Sequence, residues 1–317
     1  MPQRTSIITI GLSPAWDITC RGRNLDWGSH QFIDEQTTRP AGKALNVSKA
    51  LAWMGQRSIA AGLWGRDDYP QMLEAMKALK RELVVKMTAV AGATRRNVTI
   101  VDTANNRDMH LRNESRLASK KALRQMQADL QRIVSKGSIC VFAGTMDDGE
   151  LLEDVIRIVR LCASRRAKIV LDTSGRPLRR IVDTGVVWMI KPNVAELCEL
   201  AGREIGDTPA HLARAGAEWL DKVEVVLISR GSKGSVLVTR EGTWQSRCIG
   251  RKKVVSTVGC GDFLLAGFLK GLKDKSDAAS ALETATEVAG AKAYGLTESK
   301  TWLQVKRQIQ VRTGRVR

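Results

Sequence analysis

A chain of 317 residues, 43% hydrophobic and 26% charged, is long enough to bury a full core as one large α/β domain or two smaller ones. Its net charge of +18 invites an anionic partner, but the bases are scattered, and two Tyr and four Phe offer little aromatic interleaving for single strands to stack on, so nucleic acid is not expected. Six cysteines without CxxC spacing or nearby histidines argue against zinc and a disulfide framework, and for reduced thiols in a cytoplasmic protein.

Ile7-Ile8-Thr9-Ile10, stopped by Gly11, reads as a buried strand. Ser13-Pro14-Ala15-Trp16-Asp17 follows as a turn that leaves Asp17 just past the strand's carboxyl end, the edge at which open α/β sheets bind ligands. There Asp17 could bond a pair of polyol hydroxyls or simply close a local turn. Residues 18–38 are polar and mixed, as in an exposed hairpin or lid. Ala41-Gly42-Lys43-Ala44-Leu45-Asn46-Val47 then enters a helix through Val47, Ala50, Leu51 and Met54 that closes at Gly55. This glycine turn is not a Walker A loop, because alanine follows Lys43.

Met87-Thr88-Ala89-Val90 and Asn97-Val98-Thr99-Ile100-Val101 suggest a second exposed hairpin, with Arg95-Arg96 between them. Helix 119–135 and a buried strand at 139–144 come next. The pattern continues with helix 149–164, strands 169–171 and 186–190, helices 194–201 and 209–221, strands 225–228 and 236–238, and helices 261–272 and 276–293. Strands alternating with helices predict a mostly parallel sheet covered on both faces. No linker divides the chain, so residues 1–317 are expected to form one domain with a β lid from about 18–38 and 87–112. The acid-free basic run containing Lys306, Arg307, Arg312, Arg315 and Arg317 reads as a solvated end. Met1 to Ser6 do not resemble a signal peptide, and no apolar run approaches a membrane span.

Thr257-Val258-Gly259-Cys260-Gly261-Asp262 precedes the almost wholly apolar helix from Phe263 to Leu272. A helix start entered through glycines presents unpaired N–H groups and the positive end of the dipole to an anion. Asp262 beside it is either a proton acceptor near a phosphate or a plain N-cap. Asn193 and Glu196, after Lys191-Pro192, have the spacing of a hydrated Mg²⁺ site and equally of a capping box. Ser229-Arg230-Gly231-Ser232-Lys233-Gly234 is a glycine turn suited either to a nucleotide or to a hairpin.

Taken in order, these blocks resemble the PfkB family of ribokinase-like carbohydrate kinases, on the branch of 1-phosphofructokinases and tagatose-6-phosphate kinases. The resemblance runs from about Ile7 to Gly295 and is carried by Gly42 to Val47 and Thr257 to Asp262. Ser13 to Asp17, Leu171-Asp172-Thr173-Ser174-Gly175, Lys191 to Leu197 and Ser229 to Gly234 support it. It implies a three-layer α/β/α sandwich with a small β lid, and ATP-dependent phosphorylation of a sugar phosphate. It implies that Asp262 takes the proton of the attacking hydroxyl while the N–H groups of Gly259, Cys260 and Gly261 form the anion hole. Asp17, Gly42, Lys43 and Asn46 would hold the sugar, with Arg95 reaching it from the lid. Lys191, Asn193, Ser229, Gly231, Gly234 and Thr257 would line the nucleotide site, Asn193 and Glu196 would organise Mg²⁺ through water, and lids of this kind pair in homodimers.

The chain departs from the family pattern at several points. Ala41-Gly42 replaces a double glycine, Ala44 replaces the next glycine, and Phe263 stands where serine is usual. His30-Gln31-Phe32-Ile33 lacks the arginine that phosphosugar members carry near residue 30. A kinase for an unphosphorylated sugar or nucleoside is therefore the second reading, and a basic binding protein without catalysis the third. Cys260 replaces alanine, and a thiol at a helix N-terminus is expected to be acidified and reactive.

Overall fold

The computed structural model describes residues 6–250, 253–275, 277–306 and 308–316. Met1 to Thr5, Ser276, Arg307 and Arg317 of the readings above lie outside the described residues.

The strands are β1 (Ile7–Gly11), β2 (Ala15–Gly22), β3 (Glu35–Ala41), β4 (Ser58–Gly65), β5 (Leu83–Val90), β6 (Arg96–Asp102), β7 (Arg107–Leu111), β8 (Ile139–Ala143), β9 (Lys168–Asp172), β10 (Val187–Ile190), β11 (Val225–Ser229), β12 (Ser235–Thr239), β13 (Gly242–Ile249) and β14 (Gln310–Arg315). The helices are α1 (Lys43–Trp53), α2 (Tyr69–Met76), α3 (Lys120–Ile133), α4 (Leu152–Ser164), α5 (Gly175–Val182), α6 (Val194–Ala201), α7 (Pro209–Ala217), α8 (Cys260–Lys275), α9 (Ala278–Ala293) and α10 (Trp302–Val305).

Ten strands form one sheet in the order β14-β13-β12-β11-β10-β9-β8-β1-β4-β5, parallel from β11 to β5 and antiparallel from β11 to β14. Side-chain alternation explains why helices cover both faces. Ile8, Ile10, Cys140, Phe142, Ile169 and Leu171 point into a core shared with α3 to α7. Their neighbours Ile7, Val141, Ala143 and Val170 point into a second core under α1, α8 and α9. Strands buried on both sides must be apolar at nearly every position, and these are. The result is the expected three-layer sandwich with a mostly parallel sheet.

A separate four-stranded sheet, β3-β2-β6-β7, stands off this core as the lid. Its make-up corrects the expected second hairpin. Residues 83–90 do not pair with 96–102; they extend the main sheet as β5, parallel to β4. The alternation read as a solvent face is covered, since the Thr88 hydroxyl donates to Asp129 of α3 at 2.8 Å, while Leu83 and Met87 join a third core with Trp16 and Trp64. β6 instead pairs with β2 and β7.

The basic C-terminal run is also not a solvated end. Gln310–Arg315 forms β14, which pairs antiparallel with β13 and closes one edge of the sheet. Thr313 bonds Ser246 at 2.9 Å, Ile309 is buried, and exposed Arg312 and Arg315 guard the edge in the way cationic edge strands do. Deleting 309–317 should expose β13, with the cross-strand bonds and Ile309 lost. We expect a stability loss of roughly 3 kcal/mol or more, read by urea denaturation, together with concentration-dependent aggregation.

Candidate active site

The site lies where the carboxyl ends of β1, β8, β9 and β10 meet the starts of α1 and α8. Gly42 takes φ 116° as the residue before α1, a conformation glycine adopts without the Cβ strain of other residues. From there Lys43, Asn46 and Lys49 follow one side of the helix at intervals of three. Asn46 Nδ2 donates to Asp262 Oδ2 at 2.9 Å. Lys43 Nζ stands 3.4 Å from Asp172 Oδ1, and Lys191 Nζ, at the end of β10, stands 3.2 Å from the same oxygen. The other oxygen of Asp172 is buried without a partner, although the residue is 1% exposed.

These contacts set the protonation of the cluster. Burial pushes the Asp262 carboxyl up to about 6, and Asp172 adds to the push, against Asn46, Lys191 and Lys43. Burial pulls Lys43 down, but Asp172, Glu196 and Asp262 together hold it above its ordinary value. A carboxylate poised near 6 is ionised at neutral pH yet still basic enough to accept a proton in a transition state. Lys49 is pushed down to about 8, chiefly by burial and then by Lys292 and Arg39, against Asp17 and Asp262; its ammonium donates to the Pro40 carbonyl at 2.8 Å.

The glycine loop enters α8 with Gly259 at φ 78°. Two cations border it. A Cβ built on Gly261 would lie 3.4 Å from Lys191 Nζ, and one built on Gly259 would lie 3.8 Å from Lys292 Cε. The Cys260 N–H turns back toward the Thr257 carbonyl at 3.3 Å, so of the three expected donors this one is partly engaged within the loop. Thr257 itself is exposed.

The structure departs from the expected roles at Cys260, Asp17 and Arg95. Cys260 is not acidified: burial pushes its thiol up to about 11, outweighing Lys292, and Sγ lies 3.6 Å from the Ser256 carbonyl. Asp17 is not in a turn but on lid strand β2, opposite Arg39 of β3, and its Oδ1 accepts from Asn97 of β6 at 2.9 Å. Arg95 lies at the lid base, where Nε and Nη2 each donate to the Pro14 and Ser13 carbonyls at 3.1 Å, and Nη1 donates to Asn113 at 2.8 Å. Its guanidinium ties together the loops around the site.

Asn193 and Glu196 do form the capping box, with both reciprocal bonds, at 2.9 and 2.8 Å. Ser229 bridges to Asn193, and the hairpin turn through Gly231 and Gly234, both at positive φ, is pinned by Arg230 and Lys233 on Asp207. The strand end that leads into this turn, at Ser229, therefore lies beside Asn193.

The family model for pfkB family carbohydrate kinase matches residues 12–294. The chain belongs to this family. The 1-phosphofructokinase of Vibrio cholerae is 29% identical over 312 residues, covering 96% of both chains, and that of Haemophilus influenzae is 29% identical over 301 residues, covering 93% and 92%. The fold matches phosphofructokinase-2 from Escherichia coli in complex with fructose-6-phosphate, with TM-score 0.84 and 20% identity, covering 96% and 99% of the two chains. The tetrameric inhibited form of that enzyme matches with TM-score 0.84 and 21% identity, covering 96% and 100%. The kinase is thus a phosphotransferase with a hydroxyl acceptor, and its family uses ATP as phosphoryl donor.

Reading the sequence alone did not assign Asp172, Lys49, Arg39, Asn97 or Lys292 to the site. Asp172 was signalled by its place at the end of a strand, and Lys49 by its spacing from Lys43 and Asn46. Nothing local marked Arg39 or Lys292, whose neighbours are distant in sequence.

The raised carboxyl has a consequence for stability. A folded value near 6 against an ordinary 3.8 means that the native state holds this proton more tightly than the unfolded chain. The penalty of burying ionised Asp262 is thus absent below the unfolded value and complete above about 6. Asp262→Asn should stabilise the kinase at pH 7.5, by on the order of 3 kcal/mol at most, and the gain should vanish near pH 4. Urea midpoints at both pH values test this; equal effects at the two would contradict it. The high thiol value of Cys260 leads us to expect iodoacetamide to modify it at pH 7.5 more slowly than an unfolded-peptide thiol, as mass spectrometry would show.

Proposed function

We propose that the kinase transfers the γ-phosphoryl group of ATP to a hydroxyl of a ketose phosphate, fructose 1-phosphate or tagatose 6-phosphate. The observation that carries this reading is the Asn46–Asp262 pair at the mouth of a glycine loop bordered by Lys191. In it, the acceptor sugar lies between Asp17 on the lid and Asp262 on the main body. Asn46 orients the Asp262 carboxylate so that one oxygen faces the hydroxyl whose proton it takes. Loop N–H groups and Lys191 face the charge on the phosphoryl group in transfer, which is where electrostatic stabilisation acts. Arg39, opposite Asp17 across β2 and β3 and held by Glu298, and Lys49, near enough to feel the Asp17 charge, support a phosphorylated acceptor by adding positive charge on that side of the site. The relatives named 1-phosphofructokinase support the same class.

Mg²⁺ fits the residues present. A hydrated Mg²⁺ keeps several waters and takes only one or two carboxylates, so it needs no dense cluster of side-chain ligands. The capping box uses one Glu196 oxygen, so the other can bind a hydrated ion, and the unpartnered oxygen of Asp172 is a further acceptor. When bound, Mg²⁺ would neutralise charge on the ATP phosphates. The exposed apolar side chains Trp27, Phe32, Ile33 and Leu111 on the lid support a homodimer formed through it.

A specific observation favours the second reading, a kinase for an unphosphorylated sugar: the Arg95 donors are engaged by backbone carbonyls. A coupled ADP-release assay over free ketoses, nucleosides and their phosphates separates the two. We expect turnover on ketose phosphates with kcat/KM rising as pH passes about 6, the direction required of a base that must be ionised. Asp262→Asn should lower kcat about 10³-fold while ATP binding by calorimetry is kept. Turnover confined to free sugars would overturn the substrate assignment, and normal turnover by the variant would overturn the base.

A further inference from the structure

Lys292 stands in the last turn of α9, where a cation complements the helix dipole and needs no other explanation. Its surroundings ask for more than that. A Cβ placed on Gly259 would meet Lys292 Cε at 3.8 Å and Asp262 Oδ2 at 3.9 Å, so the lysine and the base border the same open side of the glycine loop. Dipole compensation does not require a lysine to lie against that glycine.

The side chain is also held in place. Its ammonium lies 3.4 Å from Glu298 Oε1 and 5.5 Å from the centre of the Phe263 ring, and it is only 24% exposed. Glu298 in turn accepts from Arg39 Nη1 of lid strand β3 at 2.8 Å. One carboxylate therefore fixes Lys292 on the main body and a cation on the lid. The charge is felt on two sides of the site: Lys292 pulls the Cys260 thiol down against burial and pushes Lys49 down as well. With Lys191 Nζ against Gly261, the loop has a lysine side chain beside each glycine.

We propose that Lys292 is a catalytic cation for phosphoryl transfer, its ammonium meeting the transferring group on the Gly259 side of the loop. This rests on the phosphoryl-transfer reading of the same site. The acceptor oxygen forms a bond to the γ-phosphorus as the bond from that phosphorus to the β,γ-bridging oxygen breaks. The hydroxyl proton passes to Asp262, and ADP leaves with the electron pair. Lys292 neither gives nor takes a proton. It offsets charge on the equatorial oxygens, where a fixed cation favours the transition state over the ground state. Glu298, tied to the lid through Arg39, gives that ammonium its direction.

The test compares wild type, Lys292→Met and Lys292→Arg by steady-state kinetics on the ketose phosphate, and by calorimetry with ATP and with ADP in the absence of acceptor. We expect Lys292→Met to lower kcat about 10²-fold with the acceptor KM within about threefold of wild type. It should also weaken ATP roughly tenfold more than ADP, because only ATP carries the γ-phosphoryl group, and Lys292→Arg should restore at least about tenfold of the lost kcat. Should the methionine variant fail to fold, Lys292→Gln against Lys292→Arg makes the same comparison. Unchanged kcat with an unchanged ATP-to-ADP affinity ratio would overturn the proposal. So would equal losses in both variants accompanied by a lowered Tm, the mark of a structural lysine. If wild type turns over no ketose phosphate, the substrate reading fails by itself, and the ATP-to-ADP ratio still decides Lys292.

Discussion

Asp262 and Asp172 place two carboxylates in nearly dry surroundings, 5% and 1% exposed, at the point where α8 begins and β9 ends. Neither could be tolerated alone, because an ionised carboxylate removed from water needs hydrogen bonds or counter-charges to stay charged. The fold brings that hydrogen bond and those counter-charges from two places. Asn46 and Lys43 come from α1, and Lys191 comes from the end of β10. A central parallel sheet makes this possible, since successive strands in one direction deliver their carboxyl ends to a single edge. The site is in this sense the neutralisation of a buried pair of acids, and the elements around it are placed by that demand.

The lid answers a different constraint. Its four strands have no thick core beneath them, so polar contacts secure it. Asp17 is bonded to Asn97 across the lid sheet, Arg95 ties its base to the Ser13-Pro14 turn, and Arg39 reaches Glu298 on the main body. The last two join the lid to the main body at the site's rim. Sparse apolar burial with directional ties is the composition expected of an element that must order around a ligand rather than fold by itself. The apolar side chains it leaves exposed are the remainder that a second copy could cover.

The layers and most strand and helix positions could be read from the residues because buried parallel strands and glycine-ended helices announce themselves locally. Residues 139–144 and 194–201 show this, the one by an unbroken apolar run, the other by its Asn193/Glu196 cap and Gly202. What escaped were elements whose signal is shared with distant partners. β4 is rich in alanine and glycine and holds its place through β1 and β5. β5 carries Lys86 and Thr88, so its pattern mimicked a half-exposed lid strand until Asp129 of α3 accounted for the hydroxyl. β14 is cationic and short, and only pairing with β13 makes it a strand. The site divides the same way. Motif residues near Gly42 and Gly259 stood out, whereas Arg39, Asn97 and Lys292 gain their meaning only from neighbours brought in by the fold.

Cys260 shows why residue type and position in a motif are not enough to assign chemistry. A helix N-terminus favours a thiolate by something like a kilocalorie per mole, whereas taking a thiolate out of water costs more unless a cation is close enough to repay it. Lys292 is close and pulls the thiol down, but burial outweighs that pull. The same competition runs the other way at Asp262, where Asn46, Lys191 and Lys43 resist burial enough to leave the carboxyl near 6 rather than neutral at physiological pH. One loop thus holds a thiol kept protonated and a carboxylate kept ionised at neutral pH, two residues apart. The difference lies in which of them the surrounding cations and amides address.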